Sequence, residues 1–99
     1  MGRLGLPRKS REVKAALQRK GFAASDGDHV FLTYVTTAGL RTAIMTKVSH
    51  GGNHDIGEPL LAQMARQCRL TKPMFLQLVD CPLERQAYEA ELRSKGALE

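Results

Sequence analysis

Apolar residues recur along this chain first with the period of a helix and then with the period of a strand, and the change falls at Gly21. Val13, Ala16 and Leu17 stand at helical spacing behind Ser10, a residue type suited to an N-cap, and Gly21 offers the C-terminal stop. The spacing predicts a helix over 11–20 with a narrow apolar stripe that needs a sheet to lie on. Phe22 to Ser25 then reads as a short strand, turned by Asp26, Gly27 and Asp28 into a run rich in β-branched and aromatic residues, His29 to Thr36. Thr37, Ala38 and Gly39 make the next turn, and Leu40 to Val48 is a third strand. Connections this short allow only antiparallel neighbours, so the three strands form a meander.

Two-residue alternation puts His29, Phe31, Thr33 and Val35 on one face of the second strand and Val30, Leu32, Tyr34 and Thr36 on the other. If the second set packs under the helices, His29 points outward; the opposite register would bury it, and the pattern leaves both open. Ser49 to Gly57, rich in glycine and histidine, reads as an exposed loop. Leu60, Leu61, Met64, Ala65 and Cys68 resume helical spacing after Pro59. Thr71 can cap a short helix carrying Met74, Phe75, Leu78 and Val79. Pro82 opens a last helix to about Lys95 with Leu83, Ala87, Ala90 and Leu92 inward, ended by Gly96. The expected class is therefore α+β: a three-stranded antiparallel sheet with helices packed on one face, in the order α-β-β-β-α with one or two further C-terminal helices.

A chain of 99 residues has room for one small core, so a single domain over 1–97 is expected, with Leu98 and Glu99 read as a cloning remnant. Apolar residues at 42% and charged residues at 25% are ordinary for a folded domain, which excludes wholesale disorder. No apolar run reaches the length that spans a bilayer and the first residues lack an apolar signal segment, so the reading is cytoplasmic with no membrane contact. Cys68 and Cys81 stand at no metal spacing and read as small buried hydrophobes.

Charge changes the picture more than composition does. Of the net +5, the first twenty residues carry seven basic side chains, Arg3, Arg8, Lys9, Arg11, Lys14, Arg19 and Lys20, against the single acid Glu12. A one-sided basic cluster suits phosphate binding, because counterion release supplies sequence-independent affinity for nucleic acid. A solvated helix face explains the same cluster equally well.

His29, at a strand end near that cluster, is the residue with catalytic potential, because imidazole is the side chain whose ordinary pKa lies nearest neutrality. It could take the proton from a ribose 2′-hydroxyl, which attacks the adjacent phosphorus without a metal, while Lys9, Arg11, Lys14, Lys20, Arg41 and Lys47 hold the phosphate oxygens. The plain alternative is a histidine placed at a turn for its hydrogen bonds. His50 and His54 stand four apart, but Gly51 and Gly52 between them favour a loop over a metal-binding helix, so no metal or other cofactor is expected. A rival function is a DNA-binding helix-turn-helix over Leu60 to Val79, with Lys72 and Gln77 as its polar readers and Arg69 where such turns usually carry glycine.

Three stretches carry a likeness to a known family. Val13 to Phe22, ending in Gly-Phe, precedes Gly27 Asp28 His29 and its apolar strand, and His50 Gly51 Gly52 precedes Ile56 Gly57 and a helix. In that order they resemble the HicA family of bacterial toxins, over residues 9–79, leaving 82–95 as an additional helix. The resemblance implies a double-stranded-RNA-binding-like fold and cleavage of messenger RNA with His29 as the active histidine. It further implies Gly27 and His50 beside the RNA and a HicB-like antitoxin protein as partner. Asp28 stands where the family has serine, and with Asp26 it sets two carboxylates beside the imidazole. A non-catalytic RNA-binding or partner-binding module of the same fold is the third reading.

Overall fold

The computed structural model describes residues 7–25, 27, 29–48, 55–80 and 82–98. It is an α+β structure in which β2 (Phe22–Ser25), β3 (Val30–Val35) and β4 (Arg41–Val48) form an antiparallel sheet in the order β2-β3-β4. Four helices pack against it: α1 (Ser10–Arg19), α2 (Glu58–Gln67), α3 (Lys72–Val79) and α4 (Arg85–Ser94). Two short strands, β1 (Arg8–Lys9) and β5 (Asp55–Ile56), pair antiparallel beside it, Arg8 with Ile56 and Lys9 with Asp55. Among the described residues no helix is long and apolar enough to cross a membrane.

The meander forms as the alternation requires. Val30, Leu32 and Tyr34 are buried and their neighbours Phe31, Thr33 and Val35 are not, so the register that faces His29 outward is the one adopted. On β4 the buried positions are Ile44, Thr46 and Val48, aligned with β3 by the pairs Val30–Val48 and Leu32–Thr46. All four helices lie on this covered face. Its centre is an aromatic trio: Phe22 and Tyr34 at 5.3 Å between ring centroids, Phe22 stacked on Tyr88 at 5.8 Å, and Tyr34 edge-on to Tyr88 at 5.1 Å.

Several local expectations are corrected. Pairing with β5 holds Lys9 extended, so the N-cap is Lys9 and the helix begins at Ser10, whose buried hydroxyl has no partner among the described residues. The Lys9 amide donates to Glu12 Oε1 instead, at 3.3 Å. Leu60 is exposed on α2. On α4 the inward residues are Tyr88, Glu89 and Leu92, with Ala87 and Ala90 exposed, because Tyr88 joins the aromatic trio and Glu89 binds the β3–β4 turn. Pro82 and Leu83 precede that helix, whose N-cap position is held by Glu84 without a capping bond from its side chain. Thr71 caps α3 as expected, its hydroxyl accepting from the Met74 amide at 3.3 Å. Leu98 packs half-buried against the core. Cys68 is buried, and burial pushes its thiol up to about 12; Cys81 lies outside the described residues.

Two backbone positions are conformationally demanding. Gly21 has φ +103°, and a Cβ there would come within 2.4 Å of Arg85 Nε, so the sharp passage from α1 to β2 leaves room only for glycine. Arg69 has φ 66° and closes α2: its amide donates to Arg66 O at 3.0 Å and the Leu70 amide to Ala65 O at 2.9 Å, the paired bonds usually built around glycine.

Glu89 anchors α4 to the sheet. Only 5% exposed, it accepts from the Tyr34 hydroxyl at 2.6 Å and the Thr37 amide at 2.8 Å on Oε1. On Oε2 it accepts from the Thr37 hydroxyl at 3.0 Å and Arg93 at 2.9 Å. Burial alone would raise its pKa, but the four donors outweigh burial and bring the carboxyl from the ordinary 4.5 down to about 2. A depressed folded-state pKa contributes stability that is complete above the unfolded value and disappears as the pH falls through the folded one, here on the order of 3 kcal/mol. Urea unfolding should therefore weaken steadily from about pH 5 to pH 2. Glu89→Gln should lose about 2–4 kcal/mol at neutral pH and flatten that acid limb.

Candidate nucleic-acid interface

Two residues, Lys20 and Gly21, separate α1 from β2, so the chain reverses there and the start of α1 returns to the end of the molecule where β2 finishes and β3 begins. That end gathers His29, Gly27, the close of β4 at Lys47 and Val48, and the β1–β5 pair. His29 is exposed, one residue before β3, and Gly27 is exposed in the turn preceding it. Lys47 is exposed and pairs directly across from Phe31. Asp26, Asp28, His50 and His54 lie outside the described residues.

The expected cations divide into three groups. Lys47 rises from the open face beside the start of β3. Arg11, exposed, and Lys14, half-buried, project from the helix layer that begins at the same end, and neither side chain makes a hydrogen bond or ion pair among the described residues. Lys9 is also there, half-exposed, with its ammonium 2.9 Å from Asp55 Oδ1. Arg41 pairs with Val35 at the far end of β3, about 20 Å from His29 at the rise of an extended strand. It is too distant to share one phosphate with the imidazole.

Lys20 departs from the expected set altogether. It is buried, and its ammonium donates to the carbonyls of Leu78, at 2.9 Å, and Leu83. Arg8, part of the same basic cluster in sequence, is also buried and grips Asp80 through two bonds, Nε to Oδ1 at 3.2 Å and Nη2 to Oδ2 at 2.7 Å. Both meet the C-terminal end of α3, which has no basic residue in its own last turn. The negative end of a helix dipole attracts cations, and here the cations come from the opening segment of the chain.

The open face of the sheet adds two residues that charge-based reasoning passes over. Phe31 is 37% exposed and Met45 45% exposed, next to one another on β3 and β4 because Met45 pairs with Thr33. No described residue on that face is acidic: β2 contributes Ala23 and Ser25, β3 Phe31, Thr33 and Val35, and β4 Arg41, Ala43, Met45 and Lys47. The signal in the sequence was the alternation itself, which puts Phe31 on the same side as His29 but says nothing of the helices covering only the other side. A scan against protein-family models found no match for this chain, and searches of curated proteins and of solved structures found none either.

The internal and surface lysines should separate cleanly in a stability measurement. Lys20→Met keeps the stem but leaves the Leu78 and Leu83 carbonyls without their donor, and should cost about 2–3 kcal/mol in urea unfolding. Lys47→Met should stay within about 0.5 kcal/mol of the parent chain.

Proposed function

We propose that this chain is a HicA-like endoribonuclease of a toxin–antitoxin pair, which cleaves messenger RNA in the cytoplasm with His29 as general base. The observation that supports this reading is the exposure of His29 just before β3, with the exposed Lys47 on the paired strand beside it. His29 takes the proton of a ribose 2′-hydroxyl, and the freed oxygen attacks the neighbouring phosphorus. The bond to the 5′-oxygen breaks, leaving a 2′,3′-cyclic phosphate, and the departing oxygen is protonated from water as the imidazolium returns its proton to solvent. Lys47 is the described cation nearest to His29 along the sheet, and it offsets charge growing on the phosphate oxygens. A HicB-like antitoxin holds the activity in check by covering this end.

The helix-turn-helix alternative has less to recommend it. Phe75, Leu76, Leu78 and Val79 are buried on α3, which would have to enter the major groove, and Lys72, one of its two polar readers, is ion-paired with Glu58.

Expression of the chain should arrest growth, and co-expression of its antitoxin should relieve the arrest. His29→Ala should lower the cleavage rate of a defined RNA by about 100- to 10,000-fold. Because the residue is exposed, unfolding should move by no more than about 0.5 kcal/mol. Equal toxicity of His29→Ala would overturn the assignment, and RNA retained by the wild-type chain without cleavage products would turn it into a non-catalytic binding module.

A further inference from the structure

We propose that Phe31 is a stacking platform for an unpaired base, so that the RNA taken by this site is single-stranded; the proposal rests on the RNA-directed reading given above. In an antiparallel sheet with one covered face, the uncovered face is ordinarily polar. Here its middle holds a phenylalanine and a methionine, both more than a third exposed. They are diagonal neighbours, since Phe31 pairs with Lys47 and Thr33 with Met45. On the other flank Phe31 pairs with Ser25, too small to cover the ring. The result is an open aromatic face with a thioether beside it and a cation on its edge.

Charge selects the occupant. The side chains of Lys47 and Arg41 are exposed on this face with no hydrogen bond or ion pair among the described residues, and no described residue of the face is acidic. A polyanion with flat apolar rings satisfies both features at once, and single-stranded nucleic acid is such a polymer: its backbone follows the cations while its bases stack on aromatic side chains. In a duplex the faces of the bases are already covered by their neighbours, and the deep, narrow major groove of an RNA helix admits no side chain to them. His29 precedes Phe31 by two residues, about 7 Å along an extended chain, so a base stacked on the ring brings its own ribose toward the imidazole.

The test uses the full chain carrying His29→Ala, which leaves the RNA uncut, and measures binding of a short fluorescent single-stranded RNA and of the same sequence as a blunt duplex across a salt series. Phe31→Ala in that background should weaken single-strand binding about 5- to 140-fold at fixed salt while leaving the salt slope unchanged. Phe31→Tyr should restore the affinity, and Phe31→Leu, which keeps an apolar side chain but has no ring, should not. Lys47→Ala should reduce the salt slope by about 0.7. Duplex binding should be weaker and indifferent to Phe31. Single-strand affinity that survives Phe31→Ala, or a duplex that binds as tightly as the single strand, overturns the proposal. So does loss of an antitoxin complex or of self-association in Phe31→Ala with RNA affinity intact, since the face is then a protein contact. His29-dependent cleavage with Phe31-independent binding defeats this proposal alone; Phe31-dependent binding by a chain that never cleaves defeats the nuclease reading alone.

Discussion

β3 is the strand on which the rest of the molecule depends. It is the central strand of three, and its inward residues Val30, Leu32 and Tyr34 are the surface against which the helices assemble. Each such side chain contributes roughly 1.5–3 kcal/mol by leaving water, so the choice of face is decided by several kcal/mol in one direction. A slip of one residue would exchange the faces, bury His29 and set Leu32 and Tyr34 in water. The pairing is locked at the far end, where the Tyr34 hydroxyl reaches Glu89 and its carbonyl accepts from the Thr42 hydroxyl at 2.7 Å. The outward exposure of His29 is therefore a consequence of core packing on the other side of the same strand.

The same logic revises the meaning of the net charge. A basic opening segment reads in sequence as a binding surface, but Arg8 and Lys20 are interior groups that complete the C-terminal end of α3, and Lys9 is partly neutralised by Asp55. α3 is apolar on most of its circumference and supplies no cation for its own carbonyl end. The first helix and the segment before it supply two. A count of basic residues in sequence overstates the positive surface here: of the described members of the cluster, Arg11, Lys14 and Arg19 keep side chains without a partner among the described residues, and Lys47 and Arg41 stand apart from them on the sheet.

What was legible in the sequence was what is decided locally. The alternation of β3, the helical spacing of Val13, Ala16 and Leu17, and the Thr71 cap all depend on residues within a few positions of one another, and each is observed. What escaped depends on partners far along the chain. β1 and β5 are two residues each and pair across more than forty positions, leaving no periodic trace, yet they move the start of α1 from the residue after Ser10 to Ser10 itself. On α4 Leu92 is inward as its spacing suggested, but Ala87 and Ala90 are not; Tyr88 and Glu89 turn inward instead because an aromatic pair on β2 and β3 and three hydrogen-bond donors on β3 and the turn at Thr37 wait for them. Of the site, the division of β3 into two faces with His29 on one of them was readable; which face the helices cover, the retreat of Lys20 inward and the distance of Arg41 were not.

The contacts that clamp β3 and the proposed site occupy opposite ends of the strand. The Glu89 network, the Arg85 guanidinium donating to the carbonyls of Val35 and Thr36 at 2.9 and 3.1 Å, and the close approach of Gly21 to Arg85 all sit where the strand finishes. His29, Phe31 and Lys47 sit where it starts, and none of their side chains makes a hydrogen bond or ion pair among the described residues. An exposed imidazole contributes nothing to the core, so its position must be fixed by something else, and a strand clamped at its far end and buried along one side supplies that rigidity. Such an arrangement lets the surface residues near His29 be exchanged with little effect on folding, because their backbone is already held by Val30 and Leu32 behind them. The separation of clamp from proposed site is what allows substitutions at one end to test the proposed chemistry while those at the other test stability.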